Sequence, residues 1–373
     1  MQIAPLVRGT ADVAVQTTWL KEAIERGPVA GYEAVLDYPP GTTLVMWAVT
    51  SLLDLPLEHA VKLVSAGALV LGALIIGRLV SGRAAIATVS VFAYPTVILG
   101  YTDSLFLAPL AVAVFCRHWG TRLLAVVVLV SLKWTALILC PVFLMVWVTD
   151  VGLSNSFRFR RVIGDLTPAL VAVLVLFLTY GPRTLIYHLG VSSITTQSPS
   201  ANAFNVHWLI SWFWFDGAPY GSEVYETIPG IYRLLFQALV VVLIGVVTLW
   251  AAGKADSYAK QIICFRVVVI VYFLFTAFSV HENHLFLAVA VSLMAESKAK
   301  GGAVTVVLAT AYLLNLFLYY GFNGWQRPLE LLGRAAVLPG LSIALALLWV
   351  GVRDSWTWVP RRRGLVEMRD AQR

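Results

Sequence analysis

Charged residues are scarce in this sequence: Asp, Glu, Lys and Arg make up 13% of its 373 residues, whereas 59% are hydrophobic. Apolar segments recur from Val61 to Val352 without a long polar interruption. So low a share of charge lies far outside the range of soluble globular domains. The composition therefore predicts an all-α protein, a polytopic bundle of transmembrane helices that forms one membrane domain.

Cysteine is scarce as well. The three cysteines, Cys116, Cys140 and Cys264, lie inside or beside apolar segments. Their odd number and their spacing fit neither a disulfide framework nor a zinc site, so we expect them to be packing residues.

The basic residues occur in short gaps between apolar runs. A net charge of +7 could suggest nucleic acid, but Lys and Arg in short gaps orient a membrane protein instead. Every second gap is basic, and these gaps hold Arg78 and Arg83, Arg117 and Arg122, Arg158, Arg160 and Arg161, Lys254 and Lys260, Lys298 and Lys300, and finally Arg361 to Arg363. We expect these gaps and the tail 353–373 to be cytoplasmic, and no nucleic-acid partner.

About eleven apolar segments between residues 58 and 352 are candidate spans. They are roughly 58–79, 84–99, 104–116, 122–133, 134–148, 165–180, 229–252, 261–278, 284–295, 303–320 and 335–352. Several are shorter than the ~20 residues that a perpendicular span needs. The run 122–148 fits either one long helix or two short helices that meet at Lys133.

Residues 1–57 are predicted to form an external loop with interfacial helices. Residues 10–26 have the pattern of an amphipathic helix, which Gly27-Pro28 ends. Pro39-Pro40 fixes an extended corner before a second helix at 42–53. With the tail inside and about eleven spans the chain must begin outside, so we expect a further transmembrane helix upstream of Met1.

Two carboxylates, Asp12 and Asp37, stand in this loop. A carboxylate packed against apolar surface can act as a general base with an adjusted pKa. Each could instead cap a helix, Asp12 the first one and Asp37 the one that follows Pro40. Sequence position alone leaves both interpretations open.

Two further charges lie beside apolar segments on the predicted outer side. Asp103 either lines a cavity or caps a helix that begins at Ser104, and capping is the favoured interpretation. Lys133 interrupts the apolar run 123–147, where a cation usually faces a polar cavity or an anion. Alternatively, Lys133 snorkels to the outer interface.

Polar residues also gather at His281-Glu282-Asn283-His284, between two apolar segments. The spacing of His281 and His284 could put both on one helical face. They could bind an anion such as a phosphate together with Lys133, or a metal if Glu282, His188 or His207 supplied further ligands. A capped, polar helix start is the third interpretation.

The long outer loop 181–228 is rich in Trp and Phe between residues 200 and 215. Such aromatics are typical of a membrane-interface belt, yet Asn202, Asn205 and His207 are interleaved with them. This pattern also fits a surface that recognises sugars or lipids.

Several of these residues follow the order of motifs in a known family. Its members begin their first external loop with an Asp, a Gln and a Trp, matched by Asp12, Gln16 and Trp19, and continue to a Leu-Asp-Tyr-Pro-Pro corner, matched by residues 36–40. Their Phe-Lys segment leading to Pro-Phe corresponds to Leu132-Lys133 with Pro141 and Phe143. Their Asn-Phe-Trp segment corresponds to Asn202, Phe204 and Asn205, and their His-Glu-Lys motif corresponds to His281-Glu282-Asn283. Asn283 stands where the family has lysine, and the helix that precedes this loop in the family is the one we expect upstream of Met1.

The chain thus resembles the GT-C membrane glycosyltransferases that use polyprenyl-phosphate sugars. It is most similar to the branch of the endoplasmic-reticulum glucosyltransferases that extend the lipid-linked oligosaccharide. The resemblance implies inverting transfer of a hexose, mannose or glucose, from a polyprenyl-phosphate donor to a lipid-linked or glycan acceptor. We expect a multi-pass protein of a bacterial inner membrane with an extracytoplasmic active site.

The resemblance also implies roles for particular residues. Asp12 would be the general base, and Lys133, His281 and His284 would bind the donor phosphate. Substrate contacts would come from Asp37, Tyr38, Asp103, Asn202, Asn205, His207 and Glu282. No glycine-rich nucleotide loop is visible, which agrees with a lipid-linked donor, and neither a cofactor nor a metal is required.

The main alternative is a transporter or flippase of lipid-linked sugars. Transporters of that kind more often contain internal repeats and helices broken at mid-bilayer. The sequence shows no clear repeat, and its polar residues cluster at one predicted face. A purely structural partner would not need Asp12 near a Tyr-Pro-Pro corner.

Overall fold

The computed structural model describes residues 9–33, 39–53, 55–152, 159–182, 203–214, 230–252, 258–277, 280–295, 302–324 and 326–356. Within these ranges the chain forms α-helices joined by short 3-10 and π turns, and no β-strand. The predicted all-α class is therefore confirmed.

We number the α-helices of the described ranges in chain order. They are α1 (Ala11–Arg26), α2 (Pro28–Glu33), α3 (Pro40–Thr50), α4 (Leu57–Leu79), α5 (Gly82–Ala93), α6 (Leu107–Phe115), α7 (Trp119–Leu132), α8 (Cys140–Gly152), α9 (Phe159–Tyr180), α10 (Val206–Trp214), α11 (Gly230–Ala252), α12 (Tyr258–Phe275), α13 (Phe286–Ala295), α14 (Gly302–Tyr320), α15 (Pro328–Leu332) and α16 (Val337–Trp356). A π turn, Tyr94–Leu99, extends α5.

Six stretches of the described chain are helical, long and apolar enough to cross a membrane. They are Leu57–Leu79, Gly82–Leu99, Arg160–Tyr180, Gly230–Ala251, Gly302–Tyr320 and Pro328–Asp354. Four further apolar stretches are shorter: Thr102–Phe115, Trp119–Leu132, Trp134–Asp150 and Asn283–Ala295. The helices support a multi-pass membrane protein, whereas the count of eleven spans stays a prediction.

Three of the short helices are preceded by a 3-10 turn. Thr102–Phe106 leads into α6, Trp134–Leu139 into α8 and Glu282–Leu285 into α13. Lys133 follows α7 in an extended conformation, with φ −157° and ψ 133°. Two short helices therefore meet at Lys133, and the alternative of one long helix over 122–148 is wrong.

Helix α13 forms the centre of the bundle, because all of its residues are buried. It packs against α5, α6, α12 and α14. Its first residue, Phe286, contacts Phe92 of α5 with ring centroids 4.3 Å apart. By contrast, α9 and α11 carry many exposed Leu and Val side chains, which suit contact with lipid.

Helices α1 and α3 pack against each other and against α4, and α3 also contacts α7. The Thr42 hydroxyl of α3 donates to the carbonyl oxygen of Leu132 at 2.6 Å. The polar opening segment is thereby docked on the bundle beside the end of α7, next to Lys133.

Arginine side chains tie together the opposite end of the bundle. The Arg122 guanidinium lies 3.8 Å from the Trp119 ring centroid and donates to Gln261 Oε1 at 3.2 Å. Asp150 Oδ2 accepts from Trp119 Nε1 at 2.7 Å and from Arg161 Nη2 at 2.9 Å. These contacts join the ends of α7, α8, α9 and α12 at one end of the bundle. Three of the basic gaps in the sequence lie beside these helix ends.

A buried ion pair joins α12 to α16. Both Nε and Nη2 of Arg266 lie close to Asp354 Oδ2, at 2.8 and 2.6 Å. Removing one partner of such a pair leaves an uncompensated buried charge, which costs about 3–5 kcal/mol.

We expect Arg266→Ala to lower the free energy of unfolding by about that amount, ~3–5 kcal/mol, measured by SDS titration of the detergent-solubilised protein. Arg327→Ala is the matched control, because its pair with Glu330 at 3.0 Å is exposed and should contribute under ~1 kcal/mol. Equal losses of unfolding free energy in Arg266→Ala and Arg327→Ala would show that the buried pair stabilises the protein no more than the exposed pair does.

Candidate functional site

The helix that carries Asp12 is anchored just before its first turn. Thr10 is its N-cap residue, and both the backbone N–H and the Oγ1 of Thr10 donate to the carbonyl oxygen of Leu99, at 3.0 and 3.3 Å. Asp12 lies in the first turn, where a carboxylate is favoured by the helix dipole. Asp12 therefore does not occupy the cap position that the alternative interpretation gave it.

Three glycines with positive φ meet at this anchor: Gly9 (64°), Gly100 (81°) and Gly324 (86°). A Cβ at Gly324 would lie 2.6 Å from the Gly9 carbonyl oxygen, and one at Gly9 would lie 2.8 Å from that of Leu99. Only glycine combines this backbone conformation with such close approach. The segment before Asp12 is thus held by direct backbone packing against two other turns.

Lys133 and Asp103 form a buried ion pair at the same end of the bundle. Lys133 Nζ lies 2.7 Å from Asp103 Oδ1, and the two side chains are only 9% and 4% exposed. The N-cap position of the turn that holds Asp103 belongs to Tyr101, and no side chain caps it. Helix capping by Asp103 and snorkelling by Lys133 are therefore both wrong, because each charge has the other as its partner.

The pair leaves one carboxylate oxygen available. Asp103 Oδ2 is buried and has no hydrogen-bond partner within the described part of the chain. The pair therefore fixes the position of the Lys133 ammonium group.

His281 connects Asp12 to this pair. Its side chain is exposed, and the charges of Asp12, Lys133 and Asp103 all influence its pKa. Desolvation lowers the pKa of His281; the carboxylates of Asp12 and Asp103 oppose this, and Lys133 reinforces it. Two carboxylates, an ammonium group and an imidazole therefore lie near one another at this end of the apolar bundle.

His284 lies beside His281, with ring centroids 5.4 Å apart. The backbone N–H of His281 donates to Nδ1 of His284 at 3.3 Å, and the Tyr272 hydroxyl lies 3.5 Å from the same nitrogen. An Nδ1 that accepts a hydrogen bond carries no proton, so the neutral ring presents its N–H at Nε2. His284 is buried, whereas His281 is exposed, and its side chain accepts a hydrogen bond from the backbone N–H of His284.

The loop residues Asn205 and His207 have other contacts. Asn205 Oδ1 accepts from the backbone N–H of Trp208 at 2.9 Å and so caps α10. The ring nitrogens of His207 bond to Tyr232 Oη at 2.7 Å and to the carbonyl oxygen of Phe275 at 2.9 Å. Burial lowers the pKa of His207 to about 4, so the ring is neutral at pH 7 and holds α10 against α11 and α12.

Several predicted site residues cannot be placed. Asp37, Tyr38 and Asn202 lie outside the described residues, and so does the side chain of Glu282. Within the described residues, no group of three or more His, Cys, Asp or Glu side chains is arranged to hold a metal ion.

Sequence reasoning did not assign a role to two polar residues that border the site. Gln16 Nε2 of α1 donates to Thr102 Oγ1 at 3.3 Å, next to Asp103. Tyr272, inside an apolar run, reaches His284 from α12. Gln16 had a signal in the family motif, whereas nothing in the sequence around Tyr272 distinguishes it from a packing residue.

The geometry joins a carboxylate that can accept a proton to a cation that can hold an anion. Asp12 lies in the first turn of the anchored helix α1, while Lys133 and His281 lie at the ends of bundle helices. The chain matches no protein-family model, and no curated protein sequence matches it.

The glycine anchor predicts a stability effect. Gly324→Ala would place a methyl group 2.6 Å from the Gly9 carbonyl oxygen at φ 86°, so we expect a loss of at least ~2 kcal/mol in SDS titration. Gly67→Ala is the control, because its methyl group meets no atom within 4 Å and should change stability by under ~1 kcal/mol. If Gly324→Ala were as stable as Gly67→Ala, the close backbone packing at Gly324 would not be needed for stability.

Proposed function

We propose that this protein is an inverting GT-C-type glycosyltransferase. It would move a hexose, mannose or glucose, from a polyprenyl-phosphate donor to a lipid-linked or glycan acceptor. The proposal rests on one observation above all: the helix that carries Asp12 is bonded to Leu99 and Thr102, beside the buried pair of Asp103 and Lys133. Asp12, Lys133 and His281 also belong to the motifs in which the chain resembles GT-C glycosyltransferases, and the resemblance would give them roles in one reaction.

In the proposed reaction the Asp12 carboxylate takes the proton of an acceptor hydroxyl. The acceptor oxygen attacks the anomeric carbon from the side opposite the phosphate, and the bond between that carbon and the phosphate oxygen breaks. The bonding electrons leave with the lipid phosphate, which gains one negative charge. The configuration of the anomeric carbon is inverted.

The leaving phosphate needs positive charge and hydrogen-bond donors. Lys133 would supply a fixed cation, because its pairing with Asp103 keeps it in place before the donor arrives. Desolvation lowers the pKa of His281, and the negative charge of the phosphate would raise it and favour the protonated ring. His284, held by His281 and Tyr272, would position the His281 backbone.

The membrane setting fits this substrate class. Six helices can span a bilayer, and the site lies at the end of the bundle away from the Arg122 contacts. If the basic gaps are cytoplasmic, the site opens to the extracytoplasmic face of a bacterial inner membrane. A donor whose tail is a polyprenyl chain would remain in the lipid while its sugar phosphate reached the site.

The test is transfer by the full-length protein in liposomes. Purified protein is given radiolabelled polyprenyl-phosphate mannose or glucose together with a lipid extract as acceptor. We expect Asp12→Asn to lower the transfer rate by ~10²–10⁴-fold. Glu25→Gln is the matched control on the same helix, because Glu25 is exposed and only pairs with Lys21 at 3.8 Å.

Each outcome distinguishes the proposed enzyme from an alternative. Unchanged transfer by Asp12→Asn would remove Asp12 as the base, and a product with retained configuration at the anomeric carbon would refute an inverting mechanism. No transfer by the wild-type protein with either donor would favour a flippase of lipid-linked sugars, which movement of a labelled donor between leaflets would then reveal.

Lys133 gives a second prediction. Lys133→Met alone would leave Asp103 buried without its cation, so the informative protein is the double variant Lys133→Met with Asp103→Asn, which carries neither charge. We expect its apparent donor affinity to fall at least about tenfold while its acceptor KM stays near the wild-type value. Donor titrations with an unchanged midpoint would contradict the assignment of Lys133 to the phosphate.

A further inference from the structure

Four exposed apolar side chains lie between residues 322 and 338, and we call them the apolar rim. They are Phe322, in the turn after α14, Leu331 and Leu332 of α15, and Leu338 near the start of α16. Phe322 is 73%, Leu331 90% and Leu338 62% exposed. Exposed apolar residues on this scale mark a surface that a membrane or another molecule covers.

The position of the apolar rim follows from Gly324, two residues after Phe322. A Cβ at Gly324 would lie 2.6 Å from the carbonyl oxygen of Gly9. Gly9 in turn comes directly before Thr10, the N-cap residue of the helix that carries Asp12. The rim therefore lies at the same end of the bundle as the proposed site.

Helix α16 is long enough to cross the hydrocarbon core of a bilayer without α15. Its 20 residues rise ~1.5 Å each, which gives ~30 Å, the thickness of that core. Arg353, in the last turn, marks the far end of this helix as polar. The residues before Val337 therefore lie at the opposite boundary, where the acyl chains meet the headgroups.

Helix α15 does not continue the axis of α16. Gly333, between the two helices, has φ 49° and ψ −126°, a conformation that an α-helix does not contain. Helix α15 packs against α14, and Leu329 is its buried residue. Leu331 and Leu332 are exposed, so they point away from the bundle. The helix is thus placed at the membrane boundary with leucines on its outer side.

The apolar rim continues a stripe of exposed residues on α16. Leu338 is followed at helical spacing by Leu341, Leu345, Leu348 and Val352, all of them exposed. On a helix that crosses a membrane, such a stripe faces acyl chains. Because Leu338 belongs to both the stripe and the rim, the lipid that covers the stripe reaches the rim as well.

The charges beside the apolar rim suit phospholipid headgroups. Arg327 pairs with Glu330 at 3.0 Å, so these two charges balance each other. Arg334 is exposed and gives the segment 326–338 a net positive charge. Leucines beside an arginine are typical of segments that lie in a membrane surface, where apolar side chains enter the acyl region and the cation meets phosphates.

We propose that the apolar rim is an interfacial anchor, seated in the phospholipid leaflet at this end of the bundle. Its apolar side chains contact the acyl chains, and Arg334 binds a lipid phosphate. The proposal does not depend on transfer activity. Because Gly324 joins the rim to Gly9, the seated rim sets the height of Asp12 relative to the headgroups.

The test measures the depth of Leu331 by fluorescence quenching in phosphatidylcholine liposomes. The full-length protein carries one bimane label at Leu331→Cys, in a background in which alanine replaces Cys116, Cys140 and Cys264. We expect strong quenching by phosphatidylcholine with a doxyl group high on its acyl chain, and little quenching by aqueous iodide. Leu338→Cys is the second position, and the same result is expected there.

Glu25→Cys is the matched control, because Glu25 is an exposed, charged residue of α1 that pairs with Lys21 at 3.8 Å. Its label should be quenched by iodide more than by the doxyl lipid. Quenching of the Leu331 label by iodide alone would show that water covers the rim. Protection from both quenchers would show that a second copy of the chain or another protein covers it. Either result would overturn the proposal.

Arg334 is tested with an anionic lipid. Doxyl-labelled phosphatidylglycerol should quench the Leu331 label about twofold more than doxyl-labelled phosphatidylcholine at the same mole fraction, because a cation near the surface attracts anionic lipid. Arg334→Gln should remove this preference, and Arg334→Lys should retain it. An equal preference in the wild-type protein and Arg334→Gln would refute the binding of a lipid phosphate by Arg334.

Discussion

The buried ion pair between Lys133 and Asp103 is the constraint on which the site depends. A cation and an anion in an apolar bundle are each expensive, and each is tolerated because the other lies 2.7 Å away. Their pairing requires α7 to end at Lys133 and the turn 102–106 to approach it. Once these two segments are fixed, the π turn before Gly100 and helix α1 have defined places to pack.

Helix α1 is fastened on both sides of Asp12. Thr10 bonds to Leu99 before it, and Gln16 bonds to Thr102 after it. Both partners belong to the segment that also carries Asp103, so a displacement of that segment would move Asp12 and Lys133 together. The three glycines of the anchor have the same effect, since their backbones touch where side chains would hold them apart. The relative position of Asp12 and Lys133 is therefore a property of one continuous stretch, residues 99–103.

Much of the fold could be predicted from sequence because hydropathy is a local signal. The long apolar runs became helices near their predicted bounds, and the amphipathic pattern of residues 10–26 became α1. The pattern did not reveal that Asp103 pairs with Lys133, since local signals favoured helix capping and the partner is thirty residues away. Tyr272 was missed for a related reason: its neighbours are apolar, and only the fold brings it to His284. The same holds for His207, whose partners lie on two other helices.

The short helices α6, α8 and α13 share a feature with a physical consequence for the bilayer. Each starts from a 3-10 turn at the end of the bundle that holds Asp12 and Lys133, so regular helix begins only below those turns. Backbone that departs from the α-helix is tolerated within a membrane only where protein or water surrounds it. The turn 102–106 meets this condition, because all five of its residues are buried.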